Sequence, residues 1–219
     1  MKRIKPSEGN KTFCMAPWTH TYLSPQMERR LCCSSREDSK TFNQYIDLNK
    51  KSQPFSPDTL QQHWNSDYMK KIRVDLMQGK KIPQCQVCNE KLLSVATYRS
   101  HFNKLYECQI NEAFEKTTDD GHTDMKVTSW DYRFNNLCNF KCRMCGDMLS
   151  SSWEAENREN NGWDPNKSSQ MWMRKDIKQE IDKFHDKVIV KEFADAIESK
   201  SMKEIYWCGG EPLMWKIHW

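Results

Sequence analysis

Three cysteines in one short stretch have the residue type and spacing of metal ligands. Cys138, Cys142 and Cys145 form a C-x3-C-x2-C pattern within residues 135–147, which read NNLCNFKCRMCGD. We refer to them as the cysteine triplet. Three thiolates around a four-iron cluster leave one iron without a protein ligand, and an open metal position allows a substrate or cofactor to bind. Taken alone, the pattern also fits a structural zinc knuckle or a ferredoxin-like run with its fourth cysteine elsewhere.

A second motif lies downstream, after the apolar run at residues 205–208. Gly209, Gly210, Glu211 and Pro212 form a GGEP segment. Two glycines allow the backbone to approach a ligand closely, and a carboxylate pairs with an ammonium group. The segment alone is typical of a turn, but its position after the cysteine triplet favours a ligand-binding role.

The triplet and the GGEP segment together resemble the two signature motifs of the radical S-adenosylmethionine (SAM) enzymes. The resemblance implies that the triplet holds a [4Fe–4S] cluster whose fourth iron chelates SAM, and that the GGEP segment positions the SAM amino group. It also implies that an electron from an external flavodoxin- or ferredoxin-like donor leads to cleavage of SAM to a 5′-deoxyadenosyl radical. Met144 stands where many relatives carry an aromatic residue near the adenine, so the resemblance assigns it to cofactor binding.

Four upstream cysteines are predicted to form a separate metal site. Cys14 and Cys32 lie in a predicted hairpin, and Cys85 and Cys88 form a tight C-x2-C pair after a predicted helix. Four thiolates from two such elements make a closed site for a [4Fe–4S] cluster or for zinc. Cys32 is preferred over Cys33 on spacing alone.

The upstream spacing resembles the auxiliary-cluster module called twitch, a shortened SPASM domain, over residues 13–100. In relatives this module usually follows the radical SAM barrel, whereas here it precedes the predicted barrel. The resemblance implies a second, auxiliary [4Fe–4S] cluster. We therefore expect two domains, a twitch/SPASM-like module at residues 1–118 and the first part of a radical SAM barrel at residues 119–219.

Secondary-structure signals place these cysteines on an α/β fold. In the first part they predict a hairpin with a turn at Ser24-Pro25, carrying Cys14 on its first arm and Cys32 or Cys33 on its second. They also predict a helix from Ser56-Pro57-Asp58 to Gly79. The apolar stripe of this helix is Leu60, Trp64, Tyr68, Ile72 and Leu76, and a following helix has Leu92, Val95, Arg99, Phe102 and Tyr106 on one side.

The second part reads as a linker followed by a βαβ unit. Residues 115–124 have linker composition, and residues 126–134 alternate as a strand with Trp130, Tyr132 and Phe134 on one face. A helical crossover, with an extra helix expected between residues 153 and 172, leads to a second strand at residues 204–208. The triplet and the GGEP segment then follow consecutive parallel strands, as active-site residues do in βα barrels. Two such strands cannot close a barrel, so we expect this chain to be the N-terminal part of a longer enzyme.

Composition excludes several other classes of protein. The 219 residues include 34 basic and 30 acidic ones, a balance too even to indicate nucleic-acid binding. No apolar run reaches the ~18 residues of a membrane helix, so we expect a cytoplasmic protein without a membrane partner. Its ten cysteines then read as ligands or free thiols, with Cys108 and Cys208 as buried, inert thiols. The six histidines share no ligand spacing.

The resemblance therefore implies a radical SAM enzyme, and because relatives with such modules act on peptides, proteins or sugar-derived small molecules, it implies a substrate of one of these classes. It identifies no catalytic side chain. One alternative is an iron–sulfur electron-transfer protein, against which the GGEP segment argues. Another is a zinc-binding nucleic-acid or interaction module that pairs Cys85 and Cys88 with Cys142 and Cys145. These pairs are much farther apart than the usual ribbon gap of ~15–20 residues.

Overall fold

Four short strands form one mixed sheet that positions most of the predicted site residues. The computed structural model describes residues 2–37, 57–91, 96–160 and 172–219. The strands are β1 (His20–Leu23), β2 (Arg29–Arg30), β3 (Ser129–Tyr132) and β4 (Glu204–Ile205). The described α-helices are α1 (Ala16–Thr19), α2 (Leu60–Trp64), α3 (Asp67–Met77), α4 (Gln86–Glu90), α5 (Tyr98–Leu105), α6 (Ile110–Glu115), α7 (Ser151–Glu159), α8 (Lys175–Phe184) and α9 (Val190–Glu198). This mixed α/β architecture agrees with the predicted class.

The strand order is β2–β1–β3–β4. β3 lies between two parallel neighbours, β1 and β4, while β2 pairs with β1 in the antiparallel direction. The carboxyl ends of β1, β3 and β4 therefore meet at one edge of the sheet. That edge is where ligands bind in open parallel α/β folds.

The two faces of the sheet differ in polarity because side chains alternate along each strand. Trp130, Tyr132 and Phe134 share one face, as predicted, and the rings of Trp130 and Phe134 pack on Phe193 of α9 at 6.4 and 5.2 Å between centroids. The opposite face is polar and lies beside α5, where the ring of His20 packs on Phe102 at 4.6 Å. One face therefore forms core, and the other offers hydrogen-bonding groups.

The predicted hairpin is present, with shorter arms than expected. β1 and β2 are its arms, and the turn between them begins at Ser24. Cys14 does not lie on the first arm, because residues 16–19 form helix α1 with Pro17 in its first turn. Cys32 and Cys33 follow the second arm rather than lying on it. The aromatic and β-branched residues of this stretch suggested a strand where a helical turn forms.

The helix predicted from Ser56 to Gly79 is divided into α2 and α3. Ser56 itself lies outside the described residues, and the side chain of Thr59 caps α2 instead. The Ser66 side chain accepts a hydrogen bond from Met69 N and starts α3. The helix ends as predicted, with Gly79 just past it at φ +75°.

The second predicted helix is shorter than expected. Arg99 and Phe102 are buried on α5, and Tyr106 is buried just after it. Leu92 and Val95 lie outside the described residues.

Residues 115–124 are not a loose linker, contrary to the prediction. Thr117 and Thr123 are buried and pair as a β-bridge. Gly121 has φ +92°, and a Cβ there would lie 2.2 Å from the Lys70 carbonyl oxygen. The segment is therefore a tight turn packed on α3. Its Asp-Gly composition indicated the turn correctly but carried no information about burial.

The predicted βαβ unit is confirmed by the parallel pairing of β3 and β4. The crossover between them contains α7, α8 and α9, and α8 runs into α9 through one π-helical turn at His185–Ile189. The extra helix predicted between residues 153 and 172 falls largely outside the described residues. The parallel strand β1 on the other side of β3 was not predicted.

Strands from both predicted domains share this sheet. β1 precedes the predicted boundary at residues 118/119 and β3 follows it, and the buried core likewise includes Trp18 and Trp130. Arg29 of β2 also forms an ion pair with Glu192 of α9, at 2.6 Å. The division into two domains stays a prediction. In the part of the chain that the structure describes, no helix combines the length and apolar character needed to span a bilayer.

Candidate metal centres

Cys14, Cys32, Cys85 and Cys88 come together as one buried group, which we call the upstream thiol group. Each of these residues is at most 9% exposed. Burial, with a smaller contribution from the nearby Cys85 and Cys88 thiols, raises the pKa of the Cys14 thiol to about 12. Burial also raises the pKa of Cys32, together with the neighbouring thiols of Cys14, Cys33 and Cys85. The four predicted ligands are therefore close enough to affect one another's ionisation.

Asn103 of α5 fixes the segment that carries Cys14. Its Nδ2 donates to the Phe13 carbonyl oxygen at 2.9 Å, and its Oδ1 accepts from Met15 N at 2.8 Å. The backbone on both sides of Cys14 is thus held by one side chain from a helix about ninety residues further along the chain. Such paired hydrogen bonds satisfy backbone groups that local secondary structure leaves unpaired.

A network of polar side chains fixes the turn that carries Cys32. Ser35 Oγ accepts from Cys32 N and donates to Glu37, and Glu37 accepts from Leu31 N at 2.9 Å and from Tyr68 OH at 3.0 Å. Burial raises the pKa of the Glu37 carboxyl, although these hydrogen bonds oppose the effect. The network joins the end of the hairpin to α3.

Arg99 supplies a buried positive charge beside the upstream thiol group. Its guanidinium donates to the Lys11 carbonyl oxygen and to Asn89 Oδ1, and it lowers the pKa of Cys85 against the larger opposite effect of burial. Among the described residues its buried Nε has no hydrogen-bond partner. Four soft thiol donors, a cation to offset thiolate charge and a free N–H fit a cysteine-ligated iron–sulfur cluster, whose sulfurs accept hydrogen bonds.

The cysteine triplet lies on a loop whose backbone is held by serines at the start of α7. Cys138 N donates to Ser151 Oγ at 3.0 Å, while Ser151 and Ser152 donate back to the Cys138 carbonyl oxygen at 3.0 and 2.9 Å. Trp153 Nε1 donates to the Cys142 carbonyl oxygen at 3.0 Å. These contacts follow β3 directly, so the loop stands at the carboxyl edge of the sheet.

The thiols of the triplet are graded in exposure. Cys138 is buried, Cys145 is half-buried and Cys142 is exposed. Partial burial raises the pKa of Cys145, and the nearby thiols of Cys142, Cys138 and Cys208 raise it further. The Cys138 sulfur also accepts a hydrogen bond from Phe140 N at 3.4 Å. The three predicted ligands thus lie together, and solvent reaches one side of the group.

Cys208 is a neighbour of the triplet that the sequence reasoning missed. The prediction of a buried, inert thiol is wrong for Cys208, which is half-buried and close to Cys145, and for Cys108, which is exposed. The sequence did contain a signal for this proximity, because Cys208 directly precedes the GGEP segment. That position puts the Cys208 thiol at the same sheet edge as the triplet.

The GGEP segment packs directly on the loop that carries the triplet. Glu211 N donates to the Leu137 carbonyl oxygen at 2.7 Å. Gly210 has φ +58°, and a Cβ there would lie 2.4 Å from the same oxygen. Gly209 has φ +86°, and its Cβ would lie 2.4 Å from Arg133 Cβ. Both glycines are therefore required by backbone conformation and by close approach to the neighbouring segment.

The remaining predicted cofactor-binding residues surround this contact. Glu211 Oε1 accepts from Leu213 N at 3.1 Å, and Pro212 opens a short 3₁₀ turn. Met144 is 95% exposed beside the triplet. Glu211 is thus half-buried at the turn after the two glycines, and the Met144 thioether faces solvent.

A buried carboxylate ties the triplet loop to the crossover helices. Glu154 of α7 accepts from Asn136 Nδ2 at 2.9 Å and from Lys178 Nζ at 2.8 Å, and it pairs with Arg158 at 3.1 Å. Burial alone would raise the pKa of Glu154, but these hydrogen bonds outweigh burial and hold the pKa below its usual value. The loop position is therefore set by α7 and α8 as well as by β3.

Neither thiol group has the compact geometry of a site for a single metal ion. Within residues 2–37, 57–91, 96–160 and 172–219, no three His, Cys, Asp or Glu side chains converge closely enough for one. A four-iron cube spreads its cysteine ligands over four separate iron atoms. Comparison of the chain with protein-family models, curated proteins and solved structures gives no match.

Proposed function

We propose that this protein is a radical SAM enzyme that carries a second, auxiliary iron–sulfur cluster. In this proposal β3 and β4 are the first strands of a partial βα barrel, and the protein is cytoplasmic with a flavodoxin- or ferredoxin-like electron donor. When bound, the cluster and SAM would supply a 5′-deoxyadenosyl radical. The substrate would be a peptide, a protein or a small sugar-derived molecule.

The observation that carries the proposal is the contact between the two motifs. They lie far apart in the sequence, yet Glu211 N donates to Leu137 O and Gly210 lies against the backbone of residues 136–137, while Gly209 lies against Arg133 just after β3. A motif that served only as a turn would have no need to pack beside three cysteines. The contact brings the Glu211 backbone to the loop that carries the three thiols, which supports a role for the Glu211 carboxylate in pairing with an ammonium group there.

The chain's own residues divide into anchoring and positioning roles. Cys138, Cys142 and Cys145 would hold the cluster, and the exposed side of the triplet leaves room for a ligand. Gly209 and Gly210 allow close backbone approach, and Glu211 would pair with the ammonium of SAM. Cys208 lies near enough to the triplet to influence the electrostatics of its sulfurs.

The upstream thiol group would hold the auxiliary cluster. Its four buried cysteines leave no open ligand position, which suits electron transfer or a structural role. Four thiols are also the ligand set of structural zinc, although zinc would require them to lie closer together than they do in this structure, so the second candidate for this group is a zinc site. Iron and zinc content distinguish the two.

The test uses the 219-residue chain reconstituted anaerobically with iron and sulfide. We expect about eight irons per chain, as two [4Fe–4S] clusters. Adding SAM to the reduced protein should change the electron paramagnetic resonance (EPR) signal of one cluster. Cys142→Ala should remove that cluster, whereas Cys108→Ala, at an exposed cysteine outside both groups, should leave both clusters intact.

A second variant separates cofactor binding from metal binding. Glu211→Gln keeps an acceptor for Leu213 N but removes the charge, so it should keep the iron and weaken the response to SAM. If the iron-loaded protein showed EPR signals that did not change on addition of SAM, the result would instead indicate an electron carrier. Uptake of zinc in place of iron at both thiol groups would contradict the proposal altogether.

A further inference from the structure

A cavity of about 470 Å³ lies between α5 and the polar face of the sheet. Its lining includes His20 of β1, Asp131 of β3 and Glu204 of β4, together with Tyr98 and His101 of α5. Cavities that bind small ligands typically range from about 300 to 1,000 Å³. The cavity uses neither the triplet nor the upstream thiol group, so the inference drawn from it does not depend on the proposed function.

A hydrogen-bond relay crosses the sheet along the wall of this cavity. Ser129 Oγ donates to Glu204 Oε2 at 2.8 Å, and His20 Nδ1 lies 2.9 Å from the same serine oxygen. Because the serine hydrogen goes to Glu204, His20 must donate from Nδ1. The neutral imidazole then carries its lone pair on Nε2. Burial holds the pKa of His20 down to about 3, which keeps the ring neutral.

His20 therefore presents an acceptor without a protein partner. The residue is only 6% exposed and lines the cavity. Among the described residues no side chain or backbone group forms a hydrogen bond with its Nε2, since its one such contact is through Nδ1. An acceptor that faces a polar cavity is satisfied by a donor from a ligand or from water.

The charge around the cavity is negative. Asp131 is offset by Arg133, whose guanidinium donates to both carboxylate oxygens at 3.2 and 3.3 Å. Glu204 has no lysine or arginine partner among the described residues. Its Oε2 accepts from Ser129 and from Tyr106 OH at 3.5 Å, and its Oε1 lies 3.9 Å from His101 Nε2, an ion pair only when His101 is protonated. No lysine or arginine is among the described residues that line the cavity.

Aromatic rings complete the walls. Tyr98 and Tyr206 line the cavity and are 43% and 57% exposed, so they stand at its rim. Aromatic faces beside carboxylates attract organic cations through the ring quadrupole. A neutral hydroxyl ligand could only hydrogen-bond to Glu204 Oε1, whereas an ammonium or guanidinium group would add charge complementarity to that hydrogen bond.

We propose that this cavity binds an organic cation, a primary amine or guanidinium on a flexible side chain. Its N–H groups would donate to His20 Nε2 and Glu204 Oε1, while its alkyl chain lies against Tyr98 and Tyr206. A lysine or arginine side chain of a peptide has this chemistry and would fit the cavity volume.

The test is calorimetric titration of the 219-residue chain with three probes of matched backbone. These are the N-acetyl methylamides of lysine, arginine and norleucine. We expect the lysine or arginine probe to bind and the norleucine probe, which lacks the charge, to bind at least about tenfold more weakly, a difference of ~1.4 kcal/mol. Glu204→Gln should weaken binding of the cationic probe by a similar factor, whereas Glu198→Gln, at an exposed position on α9, should not.

Two substitutions of His20 separate ligand binding from structure. His20→Asn can keep the hydrogen bond to Ser129 but lacks an acceptor at the Nε2 position, so it should weaken binding of the cationic probe. His20→Gln can place an acceptor near that position and should retain more affinity, with circular dichroism reporting the fold of both. Equal binding of norleucine and lysine probes, no binding of either cation, or an unchanged affinity in Glu204→Gln would each overturn the proposal.

Discussion

The two thiol groups differ in how they are built and in what can reach them. The upstream thiol group is enclosed by helices and a hairpin, and each of its four cysteines is at most 9% exposed. The triplet lies on a loop, with Cys142 exposed and Met144 almost entirely in solvent. A closed set of four ligands suits stability or electron transfer, whereas an open set of three suits chemistry at the metal.

The two thiol groups also differ in which parts of the chain hold them in place. The upstream group is positioned by side chains from distant parts of the chain, such as the half-buried Asn103 and the buried Arg99. The triplet loop is positioned mainly by the nearby serines of α7, and more distantly by Lys178 of α8 through Glu154 and by the GGEP segment. We infer that the first group depends on the whole fold, and that the second depends on a few local contacts and two glycines.

The largest expected difference between the groups is the rate of metal loss. In the iron-loaded chain, a chelator should remove the triplet cluster at least about tenfold faster than the upstream cluster, because each ~1.4 kcal/mol of opening free energy slows access about tenfold. Iron release followed by absorbance and by EPR measures both rates. Cys142→Ala, which should hold only the upstream cluster, identifies which rate belongs to that cluster. Equal rates of iron release from the two groups in the native chain would contradict the comparison.

A pair of glycine substitutions tests the contact between the motifs. Gly210→Ala combines a left-handed backbone conformation with a Cβ 2.4 Å from Leu137 O. We expect a loss of about 2–5 kcal/mol in unfolding free energy. Gly146→Ala, in the triplet loop, meets nothing within 4 Å and should cost little. Chemical denaturation of both variants gives the answer, and equal costs would show that the contact is unimportant.

Local sequence patterns predicted where the strands lie better than they predicted which strands pair with one another. The alternation before the triplet identified β3, and the helical crossover identified its parallel pairing with β4. The pairing of β1 with β3 joins residues more than a hundred positions apart, and no local periodicity encodes such a partner. The boundary between α2 and α3 was missed because the apolar stripe continues across it, although Ser66 provides a cap.

For the candidate sites, residue type carried most of the information. Spacing alone selected seven cysteines, and the structure gathers four of them in one group and three in another. It could not reveal Arg99, Asn103 or Cys208, whose proximity depends on the tertiary fold. Nor could it reveal the cavity, because His20, Ser129 and Glu204 come from three strands that only the sheet brings together.

A smaller effect should appear at Glu154, which anchors the triplet loop. Glu154→Gln should cost about 1–3 kcal/mol, since it removes a charged acceptor shared by Asn136, Lys178 and Arg158. Because the folded-state pKa of Glu154 is lowered, its stabilisation is present above the usual value of 4.5 and is lost as the pH falls below that value. Amide hydrogen exchange of the triplet loop should accelerate in this acid window. If the exchange rate in Glu154→Gln were the same as in the native chain, Glu154 would not be what anchors the loop.

The smallest expected effect is a loss of stability at less acidic pH, caused by His63 near the upstream thiol group. His63 of α2 packs near Tyr68, whose hydroxyl bonds to Glu37 in the network around Cys32. Burial, aided by Arg29 and Arg73, lowers the pKa of His63 from 6.5 to about 3. The unfolded chain therefore gains this proton first, so stability is complete above pH 6.5 and declines as the pH falls toward 3.

At pH 5 His63 should account for a loss of about 1–2 kcal/mol in unfolding free energy. His20 titrates in the same window, so His63→Gln should remove about half of the combined loss between pH 7 and pH 5. Denaturation curves at the two pH values measure this, with Glu154→Gln as the matched control, because the Glu154 stabilisation is lost only below its usual value of 4.5. If the two variants lost stability in the same pH range, the region around His63 and the triplet loop would not differ in the pH at which acid destabilises them.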